Sequence, residues 1–350
     1  MRPRFRELGL KVGVLETGRN NSITDVEGVK VGHVTLIKGS GKLVPGKGPV
    51  RTGVTVILPH NGNIYREKVP ASYYVINGFG KPFGLIQVGE LGEIETPIAL
   101  TNTLNVGLVA DAIIDYVIDL NPKAYTINPV VLECNDAYLN DIQGRHVRKD
   151  HVFKAIEEAS NWVEEGAVGA GTGMSSFEFK SGIGTSSRIA GEYTVGVLVL
   201  SNFGRREDLT ILGVPIGLLL RNYSGRGENL GNSIITVVAT DASLTSLQLK
   251  RLAKRSVNGI ARTGGYTYHG SGEISIAFST AYKSGETPPK NVKPKEMSLL
   301  FKAVVEATEE AIYNSLFKAV TMKGRDDNVR YAIPLDEVKK YLKNWYSSIL

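Results

Sequence analysis

Apolar positions recur along this chain with two periods. Residues 28–36 (Gly-Val-Lys-Val-Gly-His-Val-Thr-Leu) alternate apolar and polar, the period of a half-buried strand, and residues 51–58 follow as another. From 105 to 120 the period lengthens. Val106, Leu108, Val109, Ala112, Ile113, Tyr116 and Val117 fall on one helical stripe. Residues 130–134 form a short apolar strand, 151–163 an amphipathic helix, and 192–200 a strong strand that runs into Ser201-Asn202-Phe203-Gly204. Further on, the pattern predicts a strand at 234–240, a helix at 244–260, a strand at 273–280 and a helix at 296–320. A last helix, 335–349, gathers Leu335, Val338, Leu342, Trp345 and Ile349 on one face, packed on the body or on a neighbouring subunit.

Strands and helices are mixed without strict βαβ alternation, and neither an internal repeat nor a low-complexity linker interrupts them. The pattern predicts one large domain over 1–350, built of stacked layers with antiparallel-like strands rather than a doubly wound sheet. Hydrophobic residues make up 42%, enough for a full core. The 39 glycines exceed the average usage of about 7% and imply many tight turns and close backbone approaches.

Charge and cysteine content narrow the function classes. The net charge of +6 is mild for 350 residues. The most basic run, Lys250-Arg251-Leu252-Ala253-Lys254-Arg255, sets its charges at i and i+4, which reads as a solvated helix face and not a nucleic-acid patch. Cys134 is the single cysteine, so no intrachain disulfide forms, which fits a reducing compartment. The charged N-terminus has no signal-peptide apolar region, and no stretch reaches membrane-spanning length. The expected setting is cytoplasmic, without a membrane partner.

The most informative chemistry lies at Ser233. Residues 223–232 (Tyr-Ser-Gly-Arg-Gly-Glu-Asn-Leu-Gly-Asn) read as an exposed polar loop, and 234–240 (Ile-Ile-Thr-Val-Val-Ala-Thr) as a buried strand. A serine at that junction suits an N-terminal-nucleophile hydrolase. Its hydroxyl attacks the preceding carbonyl, the chain opens at Asn232–Ser233, and an α-amine appears beside the same hydroxyl. An α-amine has a pKa of about 7.7–8.0, so it serves as general base without a histidine. Read alone, the same junction is also an ordinary strand edge.

Other segments carry two readings each. In residues 269–279, Ser271 and Glu273 stand two apart and face one side of a strand; they are either a turn with an exposed acid or a hydroxyl and carboxylate that orient the Ser233 amine. Residues 129–142 set Glu133, Asn135 and Tyr138 at a strand end, as site residues or as a capped turn. Asn202 either donates to an oxyanion or closes the turn before Gly204. Residues 166–174 (Gly-Ala-Val-Gly-Ala-Gly-Thr-Gly-Met) are glycine-rich, but a helix precedes them and none follows, so they are a tight loop near the site and not a dinucleotide fingerprint. The five histidines (His33, His60, His146, His151 and His269) include no His-x-x-x-His pair, and no Gly-x-Ser-x-Gly elbow is present. Neither a metal nor a cofactor is expected.

Taken in order, residues 21–33, 169–174, 182–185, 201–204, 232–241, 270–273 and 307–312 resemble the L-aminopeptidase/D-Ala-esterase (DmpA) family, which includes the β-peptidyl aminopeptidases. The resemblance covers most of the chain, the helix from Leu335 excepted. It implies a four-layer α/β/β/α sandwich of the DmpA and ornithine acetyltransferase type, related to Ntn hydrolases. It implies autoproteolysis into chains 1–232 and 233–350, and assembly of αβ units, commonly a tetramer. Carried over by position, Ser233 is the nucleophile, Ser271 and Glu273 the supporting serine and acid, Asn202 the oxyanion amide, and Glu133 the acid near the substrate's amino group. One departure stands out: members often have tyrosine two residues after that acid, and here Asn135 stands there, with Tyr138 nearby. The expected function is a self-processing serine aminopeptidase acting on short peptides, amides or esters. An acyltransferase on the same scaffold, a family that uses threonine as nucleophile, and a non-processing ligand-binding protein are the rivals.

Overall fold

The computed structural model describes residues 2–223 and 232–347. The polar loop at 224–231 and the end of the last predicted helix lie outside the described residues. The strands are β1 (Lys30–Lys38), β2 (Val50–Leu58), β3 (Val69–Gly78), β4 (Glu93–Ile94), β5 (Ile98–Asn102), β6 (Val130–Cys134), β7 (Ser175–Ser176), β8 (Phe179–Lys180), β9 (Ile183–Ala190), β10 (Tyr193–Asn202), β11 (Asn232–Thr240), β12 (Ser271–Ser279), β13 (Met322–Lys323) and β14 (Val329–Arg330). The helices are α1 (Leu85–Leu91), α2 (Val106–Leu120), α3 (Lys149–Glu157), α4 (Ile216–Leu219), α5 (Ser246–Ala253), α6 (Ser256–Arg262), α7 (Pro294–Phe317) and α8 (Leu335–Ser347).

Two sheets face each other. One runs β1-β2-β5-β6, the other β4-β3-β12-β11-β10-β9. Side-chain alternation builds three cores. On β11, Ile235, Val237 and Ala239 point between the sheets, while Ile234 and Val238 point outward to α5, α6 and α7. β10 and β11 are buried on both faces, which is why their middles read as largely apolar, β-branched runs. The third core lies between the four-stranded sheet and α2 and α3. The layers are therefore α/β/β/α.

Two strand glycines seat the outer helices. A Cβ on Gly32 of β1 would stand 1.8 Å from the Ala155 carbonyl of α3, and one on Gly184 of β9 would stand 1.9 Å from the Ala311 carbonyl of α7. Any side chain there would push the helix off the sheet, so these glycines set the layer spacing.

Most sequence-predicted elements appear within a few residues. Three differ. The helix expected at 244–260 is two, α5 and α6; the Ser256 hydroxyl bonds back to the Ala253 carbonyl at 2.8 Å and competes with a continuous helical ladder. The helix expected at 151–163 ends at Glu157, because Ser160 pairs in both directions with Val31 of β1. The antiparallel pattern is broken by two parallel pairs, β5–β6 and β11–β12.

Candidate active site

Ser233 is the second residue of β11, one step further in than the sequence pattern implied. It is buried, at 4% exposure. β11 lies between β10 and β12. The register sets Asn202 beside Ser233 on one flank and Gly272 on the other, with Ser271 opposite Asn232. Neighbouring strands run about 5 Å apart, so these residues form one cluster at the sheet's end. The Ser233 hydroxyl donates to the Asn232 carbonyl oxygen at 2.6 Å, so it already touches the Asn232–Ser233 peptide group.

Asn202 is held at both ends of its amide. Its Oδ1 accepts from the Ser175 N–H at 2.8 Å, and its Nδ2 donates to the Asn135 carbonyl at 2.8 Å. That second bond joins the end of β6 to the end of β10, from one sheet to the other. Asn135 thus acts here through its backbone, and its side chain caps the following turn by accepting from the Ala137 N–H. Tyr138 is not joined to this cluster. Its ring lies 3.7 Å below the Arg330 guanidinium, and its carbonyl accepts from Asn328.

Ser271 and Glu273 do share a face. The Ser271 hydroxyl donates to Glu273 Oε1 at 2.7 Å, and Thr267 donates to Oε2 at 2.9 Å. Burial pushes the Glu273 carboxyl above its ordinary range, and these two hydroxyls pull it part of the way back. The pair projects to the side opposite Ser233 Oγ, since Ser271 and Glu273 pair with Asn232 and Ile234 and successive residues alternate. In the register they flank Gly272, the residue paired with Ser233.

Glu133, 3% exposed, sits near the end of β6. Its Oε1 accepts from the Lys81 N–H at 2.9 Å and its Oε2 from the Thr103 hydroxyl. Gly80 links it to the serine: a Cβ there would lie 3.7 Å from Glu133 Oε1 and 3.7 Å from Gly272 Cα, the residue beside Ser233. Behind Asn135, burial raises the Asp136 carboxyl to about 7 and lowers the Lys180 ammonium to about 7. Lys180 Nζ donates to the carbonyls of Gly171, Met174 and Ser181, so it pins the glycine-rich loop. Two N–H groups of that loop, Gly169 and Ala170, go to Thr35 and Thr55, which leaves no phosphate cradle in them.

Ser175, Thr103 and Thr267 were not singled out in the sequence. Thr103 follows the end of a strand, and a strand-end rule would have found it. Nothing local marks the other two. Among the described residues no group of three or more His, Cys, Asp or Glu could hold a metal ion.

Comparison with known proteins bears on this geometry. The peptidase family S58 profile matches residues 21–330. The β-peptidyl aminopeptidase BapA of Sphingosinicella microcystinivorans is 42% identical over 368 aligned residues, covering 98% of this chain and 92% of its own. The crystal structure of the PH0078 protein from Pyrococcus horikoshii OT3 superposes with a TM-score of 0.93 at 59% identity, covering 98% of this chain and 99% of that one. The L-aminopeptidase D-Ala-esterase/amidase of Ochrobactrum anthropi, described as a prototype for the serine aminopeptidases and a variant of the Ntn hydrolase fold, superposes with a TM-score of 0.90 at 35% identity, with 98% and 99% covered. The chain, with its α/β/β/α layers and its serine at the head of a central strand, belongs to peptidase family S58.

Proposed function

We propose that the protein is a self-processing aminopeptidase with Ser233 as nucleophile of both reactions. The observation that carries this is the Ser233 hydroxyl, 2.6 Å from the Asn232 carbonyl oxygen at the head of a buried strand, with the Asn202 amide alongside in register. In the precursor, Oγ attacks the Asn232 carbonyl carbon and the C–N bond breaks. Water then hydrolyses the resulting ester. Asn232 keeps a carboxylate, Ser233 gains a free α-amine, and the chain becomes 1–232 and 233–350.

In the mature enzyme the α-amine accepts the Oγ proton as Oγ attacks the substrate carbonyl. Asn202 Nδ2 stabilises the oxyanion. The ammonium returns its proton to the departing amine, and water releases the acyl group by the same steps. Ser271 and Glu273 orient the amine through the Ser233 nitrogen. Glu133, buried and bonded only by neutral donors, receives the substrate's ammonium, which makes the enzyme an aminopeptidase for short peptides, amides or esters. With BapA-like sequence over nearly the whole chain, β-peptides enter the substrate class. Asn135 shapes the same region by fixing Asn202 through its carbonyl, whereas Tyr138 packs on Arg330 away from it. Serine at 233 argues against the threonine-dependent acyltransferase reading.

The αβ units assemble as a homo-oligomer in this reading. Val75 of β3, Ile86 and Leu91 of α1 and Leu247 of α5 are exposed apolar residues, and light scattering of the purified protein tests it. The cytoplasm suits a chain whose one thiol is buried and reduced. The experiment that tests the main proposal is N-terminal sequencing of the purified protein. A second terminus beginning Ser-Ile-Ile-Thr is expected. An active preparation with no second terminus, or with one elsewhere, overturns it.

A further inference from the structure

Thr267 holds a conformation that a threonine resists. Its φ is +55°, in the left-handed region where the β-branch crowds the backbone. Such residues persist where the surroundings over-determine them, and they gather at functional sites. The residues that follow it are firmly tied. The Tyr268 hydroxyl donates to Asp208 Oδ2 at 2.5 Å, and the Arg205 guanidinium lies 4.3 Å over its ring. Asn77 Nδ2 donates to the carbonyls of Tyr268, His269 and Ser271, and the Ser271 N–H donates to the Tyr268 carbonyl. Thr267 is only half-buried, so apolar packing gives little return for its strain. What threonine adds over glycine or asparagine there is a short hydroxyl, and that hydroxyl donates to Glu273 Oε2.

The consequence runs along the hydrogen bonds. With Oε2 taken by Thr267, Glu273 accepts Ser271 on Oε1. A hydroxyl has one proton and two lone pairs. Ser271 has committed its proton to the acid, so toward the Ser233 nitrogen, one residue along from its register partner Asn232, it has only lone pairs to offer. We propose that Thr267 is a positioning residue for the general base: it fixes the Glu273 carboxylate so that the Ser271 hydroxyl presents a lone pair to the Ser233 amine. The role rests on Ser233 being the N-terminal nucleophile. Besides that amine, the Cys134 thiol on β6 is a titratable group within electrostatic reach of Glu273 among the described residues. Burial keeps that thiol protonated, so it does not compete.

The test is a kinetic set on the processed enzyme, assayed with the best substrate of an aminoacyl p-nitroanilide panel. Thr267→Val keeps the β-branch and removes the hydroxyl. It is expected to lower kcat by about tenfold or more, toward the contribution typical of general-base assistance, with KM unchanged. Thr267→Ser restores most of kcat. Thr267→Ala, which also removes the crowding methyl, repeats the loss if the valine variant folds poorly. In a Glu273→Gln background, Thr267→Val has no further effect on kcat, because the two act as one unit. A purely structural threonine would give losses that add to those of Glu273→Gln and would not be rescued by serine alone. Ser233→Ala serves as control. If it is inactive while Thr267→Val keeps wild-type kcat, the Thr267 role alone is overturned. If Ser233→Ala remains active, the nucleophile assignment and the Thr267 role both fall.

Discussion

Glu310 and Glu273 are buried alike, at 0% and 1% exposure, yet one is surrounded by cations and the other by hydroxyls. Glu310, on α7, pairs with Arg188 Nη2 at 2.7 Å and Arg6 Nε at 2.9 Å and accepts from Asn21. Its neighbour Glu306 takes Arg188 Nε at 3.3 Å and the N–H groups of Val14 and Leu15. That network ties the N-terminal segment, β9 and α7 together, and every charge in it has its opposite. Among the described residues, Glu273 has only Ser271 and Thr267 as hydrogen-bond donors, and Glu133 only a backbone N–H and Thr103. Among the described residues neither acid has a cation partner within ion-pair distance. A buried carboxylate without a counter-charge is costly, and the raised Glu273 carboxyl records it. The difference separates structural acids, whose partners fold with them, from acids left without a cation, which under the proposed function would receive theirs later, as a new α-amine or as a substrate's ammonium.

The largest effect belongs to the nucleophile. Ser233→Ala is expected to remain a single uncut chain on a denaturing gel and to lose activity on the order of 10⁶-fold, as loss of a hydrolase serine does. It should leave the Arg188 network intact, so its urea midpoint stays close to that of an uncut wild-type chain. Arg188→Met does the reverse. Removing the shared cation takes from Glu306 its nearest cation and leaves Glu310 with Arg6 alone, which costs about 3–5 kcal/mol of stability by urea unfolding. If Arg188→Met unfolds at the wild-type midpoint, the contrast between the two kinds of acid collapses.

Glu133 probes the incoming cation. Acetylating the substrate's amine removes the charge and leaves the carboxylate unpaired, a loss of about 2–5 kcal/mol in kcat/KM. Glu133→Gln should lower kcat/KM for free-amine substrates and narrow the gap to acetylated ones. Equal hydrolysis of both substrates by the wild type would remove the amine-reading role.

The smallest effect is on stability, and its sign is fixed. Burial raises the Glu273 carboxyl in the folded state above its unfolded value, so the unfolded chain gives up its proton first and folding loses stability as pH rises through that window. On a Ser233→Ala background, where no α-amine forms, Glu273→Gln should therefore melt higher than its parent at neutral pH. The gap should close as pH falls below the ordinary carboxylate range. A gap that stays constant from pH 3 to pH 8 would mean Glu273 is no costlier folded than unfolded.

The legible parts of the molecule were those where one residue type answers to one local demand. β10 and β11 are buried on both faces and read as largely apolar runs. β9 was missed, because Thr185, Ser186, Ser187 and Arg188 look like a loop until Glu306 and Glu310 come over them from α7. β5 goes unpredicted because its end, Thr101 and Asn102, reads as the cap of the helix that follows and leaves only three apolar positions. In the site, Ser233, Ser271 and Glu273 could be marked by their position at strand starts. Ser175 and Thr267 could not, since a lone hydroxyl or a backbone N–H carries no sign of what it will meet.

The sequence by itself determined that strands and helices stack in layers, through periodicity, that the layers number four, through the family resemblance, and the point where a serine heads a buried strand. The sequence showed many glycines, but only the tertiary structure decided which of them seat helices on sheets, as at Gly32 and Gly184. Only the tertiary structure decided how the site is wired. Asn202 and Asn135 come from different sheets and meet through one hydrogen bond across 67 positions of sequence. Glu133 meets Lys81 and Thr103 at separations of 52 and 30. Local pattern reports which face of an element is buried. It carries no information on which buried faces will be pressed together, and the site is made of groups that find their partners only when the two sheets close.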